Sequence, residues 1–160
     1  MKMAEKVTII VFSGNLDKAL AAFSLAIGAV AMEMKVTIFF TFWGLSVIRK
    51  DKKVSRTRGI MRKMLNLLNR GGARRLPLSR LNMGGLGSSM MKKLMEDSKM
   101  PSLEEMISMA QKMGVEFVAC TTTMGMMGIS REDLIPEVGR LAGVATYLGE
   151  ASEGKINLFI

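Results

Sequence analysis

The chain has 160 residues, of which 49% are apolar, so it is long enough to fold around its own core and its composition is not that of a disordered chain. One cysteine and no histidine exclude internal disulfides, thiolate zinc cages, imidazole metal sites and nucleophiles activated by histidine. The net charge is +9. A lone thiol suits a reducing compartment and the sequence lacks the pattern of a signal peptide, so we expect a cytoplasmic protein.

The first predicted elements are a strand, a helix and a second strand. Residues 6–12 are β-branched and largely uncharged, which is typical of a strand buried on both faces of a parallel sheet. After a turn at residues 13–15, a helix continues to about Met32 and is apolar on almost every side, so we expect other structure to cover it. Residues 35–43 repeat the strand pattern and complete a βαβ unit.

The segment from Gly44 to Met100 differs from the rest of the chain in charge. It holds 15 Lys and Arg against 3 Asp and Glu, whereas the remainder holds 8 against 11. We interpret it as a basic, methionine-rich insertion, at about residues 44–100, into one domain that spans residues 1–160. Within it, residues 56–70 show the pattern of a basic amphipathic helix. The glycine-rich stretch "NMGGLG" then precedes a helix predicted from Ser88 or Ser89.

Several roles are open to this insertion. It can be a solvated face, a dock for anionic membrane lipid or a dock for an acidic partner protein, and we favour an interaction surface because its charges accompany an apolar stripe. Nucleic acid is not expected as a partner, because one Trp and one Tyr leave few rings to stack on bases. The 17 methionines are interpreted as core and contact residues, and neither a metal nor another cofactor is expected.

The last third of the sequence alternates helix and strand patterns. Ser102 and Glu105 predict a capping box at the start of a helix that Gly114 ends. The following segments are predicted as strand 115–120, short helical turn 121–129, short strand 135–140, helix 142–151 and final strand 156–160. The fold class is therefore α/β, with three α/β/α layers and a mainly parallel sheet of four or five strands.

Cys120 is the candidate functional residue. An isolated cysteine is more often buried and structural than reactive, and that alternative stays open. Its position favours reactivity, because it ends a predicted strand and open parallel sheets bind ligands at the carboxyl ends of their strands. The backbone N–H groups of the residues from Thr121 to Met124 would stabilise a thiolate. Since no histidine can act as base, persulfide transfer is the chemistry that fits best, and we expect the sulfur to lie at an open rim.

Other residues are predicted to reach the same rim, because they follow or end neighbouring strands. The predicted substrate-binding residues are Ser13, Gly14, Asn15, Trp43, Thr121 and Met124. Core packing is the slightly favoured alternative for Trp43. Binding of a small ligand or nucleotide at this edge is a third possible function, although nothing in the sequence identifies such a ligand.

Five stretches carry a resemblance that spans nearly the whole chain. They are "VFSGNLDKALAAFSLAIGAVAMEMKVTIFFTFWGL", "NMGGLGSSMMKKLM", "PSLEEMISMAQKMGVEFVACTTTMGMMGI" and "AGVATYLGEA" with "INLFI". Their most diagnostic part is Cys120 after Ala119, followed by Met124, Met127, Gly128 and Ile129. In these stretches the chain resembles the DsrE/DsrF-like (DsrEFH) sulfur-relay family, in its subgroup with a long basic insertion.

This resemblance implies a small parallel α/β fold, a homo-oligomer, and Cys120 as the residue that exchanges persulfide sulfur with carrier proteins of the TusA or rhodanese type. The stretch "CTTT" departs from the polar residues often found there, and some family members keep the fold without transferring sulfur. Our leading hypothesis is a sulfur carrier or sulfurtransferase. The alternative is a non-catalytic interaction or scaffold module in which Cys120 is packed.

Overall fold

A computed structural model of the chain describes residues 5–51, 60, 61, 64 and 71–160. The strands are β1 (Lys6–Val11), β2 (Lys35–Phe40), β3 (Glu116–Cys120), β4 (Arg140–Ala142) and β5 (Ile156–Phe159). The α-helices are α1 (Leu16–Ala31), α2 (Leu86–Asp97), α3 (Leu103–Lys112), α4 (Thr121–Met127) and α5 (Val144–Ser152). Short 3-10 helices form at Phe42–Ile48, Ala73–Arg75, Met83–Gly85 and Arg131–Asp133.

The five strands form one parallel sheet in the order β4-β3-β2-β1-β5. The predicted class, with helices on both faces of a parallel sheet of four or five strands, is confirmed. Because all the strands run in the same direction, their carboxyl ends meet at one edge of the sheet, where loops can build a site.

One face of the sheet carries the larger core, beneath α1 and α3. Phe23 of α1 is fully buried, and its ring centroid lies 6.3 Å from that of Phe40 and 5.6 Å from that of Phe117. α3 begins with the predicted capping box, in which Ser102 and Glu105 each accept a hydrogen bond from the other's backbone N–H group. Its buried residues Met106, Ile107 and Ala110 join the same core.

The second face is covered by α5, which follows the edge strand β4 and leads to the opposite edge strand β5. Tyr147 of α5 stacks at 5.0 Å on Phe39, and its hydroxyl lies 3.1 Å from the Thr8 hydroxyl of β1. With α1 and α3 on one face and α5 on the other, the domain has three layers.

Several predicted bounds are wrong. β2 ends at Phe40 instead of residue 43, and the chain then coils into the 3-10 helix Phe42–Ile48, which is part of the core although it begins the predicted insertion. The fourth strand forms at Arg140–Ala142 instead of residues 135–140. The helix α1 is not covered on every side: Leu25 is 49% exposed, because the sheet contacts only the inward side of the helix.

The amphipathic helix predicted for residues 56–70 lies mostly outside the described residues. Ile60, Met61 and Met64 are helical there, and their side chains are exposed. α2 begins at Leu86, two residues before the predicted start. In the part of the chain given above, no helix combines the length and the apolarity needed to cross a bilayer.

Candidate functional site

Cys120 is the last residue of β3 and the residue from which α4 begins. In β3, side chains alternate between faces, so Phe117 and Ala119 enter the larger core while Val118 and Cys120 face α5. The neighbouring strand places Ala142 opposite Cys120. The thiol is therefore at the carboxyl edge of the sheet, as predicted.

Two threonine hydroxyls form a hydrogen-bonded cluster with the sulfur. The Oγ1 of Thr123, in the first turn of α4, donates to Cys120 Sγ at 3.5 Å. Thr41, which directly follows β2, places its Oγ1 3.0 Å from Thr123 Oγ1. The sequence analysis missed both side chains. A threonine three residues after a cysteine that starts a helix is a pattern that points to Thr123, whereas Thr41 is remote in sequence.

The surroundings lower the pKa of Cys120 below its ordinary value. Burial has the largest single effect and raises the pKa, because it disfavours the charged thiolate. Hydrogen bonds to the sulfur oppose it: those from the Thr123 backbone N–H and hydroxyl, then from the Thr41 hydroxyl and the Thr122 backbone N–H. Together these donors outweigh burial, so the thiolate forms at lower pH here than in an ordinary cysteine, which is the direction that the sequence predicted.

The expectation that the sulfur lies at an open rim is wrong. Cys120 is only 3% exposed, and it belongs to a buried cluster with Phe39, Val118, Ala142 and Tyr147. The cause is the second layer of the fold, in which Tyr147 of α5 packs in the same buried cluster as Cys120. A reagent reaches the sulfur only when these covering groups move.

The predicted residues Thr121 and Met124 have different positions. Thr121 is exposed in the first turn of α4, next to Cys120. Met124 is 6% exposed and packs into the larger core, not into the cluster around Cys120. A role for Met124 in lining the cysteine site is therefore not supported by its packing.

The turns after β1 and β2 pack against each other. A Cβ atom at Gly14 would lie 2.7 Å from the Trp43 carbonyl oxygen, and the Gly44 N–H donates to the Phe12 carbonyl at 2.8 Å. Ser13 Oγ accepts a hydrogen bond from Lys18 at 3.1 Å. Asn15 precedes the first turn of α1, but its side chain makes no capping hydrogen bond.

Trp43 is 41% exposed, so core packing does not account for it. It belongs to a surface that the sequence analysis missed, which we call the aromatic rim: Phe12, Phe42, Trp43 and Phe159. The Phe12 ring lies 5.1 Å from that of Phe42 and 5.7 Å from that of Phe159. Phe42 directly follows Thr41, so this rim adjoins the cysteine site.

The described residues contain no group of three or more His, Cys, Asp and Glu side chains that could hold a metal ion. The reactive group that the structure describes at the site is the Cys120 thiol with its hydrogen-bond donors. A thiolate held by neutral donors is a nucleophile that needs no neighbouring base.

A family model described as the DsrE/DsrF/DrsH-like family matches residues 3–159. The chain belongs to this family. It is 41% identical over 159 residues to the uncharacterized protein YrkE of Bacillus subtilis, with 99% of each chain covered. It is also 31% identical over 163 residues to a protein of Allochromatium vinosum named Sulfur carrier protein DsrE2, with 98% of each chain covered.

Two solved structures share the fold at low sequence identity. MTH1491 from Methanobacterium thermoautotrophicum, a protein of unknown function, superposes with a TM-score of 0.56 at 14% identity, covering 98% of this chain and 99% of the other. The ychN protein from E. coli gives 0.59 at 12% identity, with 99% and 100% covered. These two structures support the α/β fold, whereas the family model and the 31% identical relative confirm the resemblance to the DsrE/DsrF-like family.

Proposed function

We propose that this protein is a sulfur carrier that accepts a sulfane sulfur on Cys120 and passes it on as a persulfide. The observation that carries the proposal is the thiol at the carboxyl end of β3, faced by the Thr123 hydroxyl at 3.5 Å and by donors that lower its pKa. Membership of the family and 31% identity to a relative named as a sulfur carrier support it.

The transfer needs no oxidant and no metal. The Cys120 thiolate attacks the outer sulfur of a donor persulfide R–S–SH, and a new S–S bond forms while the donor S–S bond breaks. The donor leaves as the thiolate R–S⁻, and the proton stays on the transferred sulfur, giving Cys120–S–SH. The reverse reaction, with an acceptor thiolate as nucleophile, delivers the sulfur.

Access to the sulfur requires local opening, since Cys120 is 3% exposed. Opening would involve the helices beside the sulfur, which are α5 with Tyr147 and the seven-residue α4 with the donor Thr123. Short surface helices open at lower free energy than core strands do. Donor binding would then be coupled to movement of these helices.

Mass spectrometry of the intact protein tests the proposal. Reduced protein is incubated with thiosulfate, whose outer sulfur moves to the Cys120 thiolate while sulfite leaves. The expected result is a gain of one sulfur atom that dithiothreitol removes. Cys120→Ala is the control, and it should show no gain. An equal gain of mass in Cys120→Ala contradicts the proposal. So does the absence of any gain when the native parent protein is incubated with thiosulfate and, separately, with polysulfide.

Donor and acceptor proteins of the TusA or rhodanese type would dock on the aromatic rim. Phe42, Trp43 and Phe159 are 40%, 41% and 69% exposed beside the cysteine site, and exposed aromatic groups are frequent anchors of interfaces. The test compares Trp43→Ala with the parent protein. Loading from a carrier persulfide should slow more than loading from thiosulfate. If loading slows equally with both donors, Trp43 affects the transfer step itself and not the docking of a carrier protein.

The neighbouring turn is proposed to contact the incoming sulfur donor. Ser13, Gly14 and Asn15 lie beside Trp43 at the carboxyl end of β1, where Gly14 allows the close approach of the two turns. Asn15→Ala removes an amide that makes no capping bond, so it should leave stability nearly unchanged. A raised KM for the carrier donor would support the contact, and an unchanged KM would oppose it.

A non-catalytic scaffold is the second candidate, and the burial of Cys120 among Phe39, Val118 and Tyr147 favours it. In that case Cys120→Ala should lower the stability of the fold, and neither the variant nor the parent protein should bind sulfur. The same mass measurement separates the two functions. A scaffold gives no thiosulfate or polysulfide adduct under native conditions.

We also propose that the protein forms a homo-oligomer through α5. Val144 and Leu148 are spaced four residues apart on that helix, and they are 57% and 59% exposed. Leu148→Glu should lower the mass measured by light scattering if this surface joins two copies. A mass equal to one chain in the parent protein would rule the assembly out.

The basic insertion is proposed to make peripheral contact with an anionic membrane. On α2, Leu86, Met90 and Leu94 are four residues apart and 58–60% exposed, in a segment rich in Lys and Arg. Cosedimentation with anionic vesicles at low salt tests this proposal, and the absence of binding would refute it.

Persulfide exchange needs a reduced thiol, so a reducing compartment such as the cytoplasm fits the proposed function.

A further inference from the structure

Two threonine hydroxyls surround the Cys120 sulfur. Thr123 has one hydroxyl proton, and it donates that proton to Cys120 Sγ at 3.5 Å. Thr41 Oγ1 lies 3.0 Å from Thr123 Oγ1, whose oxygen can accept, and the Thr41 hydroxyl is also a donor to the sulfur itself. The two hydroxyls and the sulfur therefore form one hydrogen-bonded cluster. In such a network each bond polarises its neighbours, so the donors at the sulfur are strengthened.

The two threonines belong to elements that are distant in the sequence, and each threonine is held in place separately. The Thr41 N–H donates to the Val11 carbonyl at 3.1 Å, and its own carbonyl accepts from Gly44 at 2.9 Å, which fixes it to the end of the sheet. Thr123 is 3% exposed in the first turn of α4. Their β-branched side chains also have restricted χ1 angles, so little rotamer freedom is lost on bonding.

We propose that Thr41 and Thr123 are positioning residues for Cys120 in sulfur transfer, an inference that rests on the proposed function. Thr123 orients the sulfur and stabilises its anion, and Thr41 supports it both directly and through Thr123. The pair also ties α4 to the end of β2, so that the same contact aims the nucleophile and keeps the site closed until a donor arrives.

Among the described residues, no charged side chain is a cause of the shifted Cys120 pKa, which comes from burial and hydrogen bonds. The buried cluster around Cys120 includes Tyr147 of α5, and β2, β3 and β4 present Phe39, Val118 and Ala142 there. On the same face of the sheet, Arg140 pairs with Glu116 and Glu150 near the opposite ends of the strands. Thiolate formation in this pocket is therefore governed by hydrogen bonds and not by a nearby charge.

The experiment replaces each hydroxyl by a methyl group in Thr41→Val and Thr123→Val, and restores it in Thr41→Ser and Thr123→Ser. The first readout is the thiolate absorbance near 240 nm against pH, with Cys120→Ala as the blank, which needs no access to the sulfur. The second is the rate of sulfur loading from thiosulfate. Thr37→Val is the matched control, a buried threonine in β2 that lies about 13 Å from the sulfur along the sheet.

Thr123→Val should move the thiolate titration to higher pH and slow loading at pH 7 roughly tenfold, with the loss recovered at high pH. Thr41→Val should do the same to a smaller extent, and both serine variants should restore the parent behaviour. Thr37→Val should change neither readout. If Thr123→Val folds as judged by circular dichroism and titrates like the parent protein, the proposal is overturned.

The two readouts also separate this inference from the proposed function. Shifted titrations without sulfur loading in the parent protein would refute the sulfur carrier, and the two hydroxyls would then only stabilise a thiolate. Loading that depends on Cys120 but is unchanged in all four threonine variants would refute the positioning role and leave the carrier intact. A loading loss in the valine variants that high pH does not recover also refutes it, since the defect would then be structural.

Discussion

Gly44→Ala should destabilise the protein strongly, because the turn after β2 has no room for a side chain. A Cβ atom at Gly44 would lie 1.9 Å from the Val11 carbonyl oxygen and 2.6 Å from the Val11 carbonyl carbon. To relieve these contacts the turn must move away from β1. That movement breaks the longer-range half of a bifurcated hydrogen bond, in which the Gly44 N–H donates to the Phe12 carbonyl at 2.8 Å and to the Thr41 carbonyl at 2.9 Å.

The expected magnitude follows from these contacts. One lost hydrogen bond at about 1 kcal/mol, and overpacking of about 1–3 kcal/mol, give a loss of about 2–4 kcal/mol in the free energy of unfolding. For a domain of this size the melting temperature should fall by roughly 4–16 °C. Since Thr41 belongs to the same turn, the titration of Cys120 should change as well.

Urea denaturation followed by the fluorescence of Trp43, which is the one tryptophan, and by circular dichroism measures the loss. Gly28→Ala is the matched control: Gly28 lies within α1 with nothing within 4 Å of an added Cβ, so stability should rise by about 0.5–1 kcal/mol. If Gly44→Ala is as stable as the parent protein while Gly28→Ala behaves as expected, the close packing of the two turns is not what holds this edge.

Three further predictions follow from the packing and charges. Phe23→Ala removes a fully buried ring that contacts two aromatic rings of the sheet, and urea titration should show a loss of about 3–5 kcal/mol. Ser102→Ala removes one half of the capping box of α3, and a loss of about 1 kcal/mol is expected by the same assay. Burial raises the pKa of Glu150, but the hydrogen bond and charge of Arg140 and the charge of Lys6 lower it by a larger amount, so the net shift of the pKa is downward. Because the folded-state pKa is depressed, this stabilisation is present above the ordinary glutamate range and is lost as the pH falls below about 4. Glu150→Gln should therefore flatten the acid limb of the stability curve, and an unchanged acid limb would show that the ion pair contributes little.

The sequence alone determined most of the secondary structure and the parallel sheet. The β-branched runs at β1 and β2 and the capping box at Ser102 are local patterns, in which each residue's preference agrees with the final fold. The same reasoning placed Cys120 at the carboxyl end of a strand, next to backbone donors that favour its anion. These features needed no knowledge of distant contacts.

The tertiary structure decided whether that thiol is exposed to solvent and which residues it contacts. Thr41 and Thr123 are 82 residues apart, and they meet only because β2 and β3 are neighbours in the sheet. The burial of Cys120 depends on Tyr147 of α5, whose position follows from the crossing of that helix between the two edge strands. Strand order and layer packing arise from burial summed over the whole chain, so local patterns do not contain them.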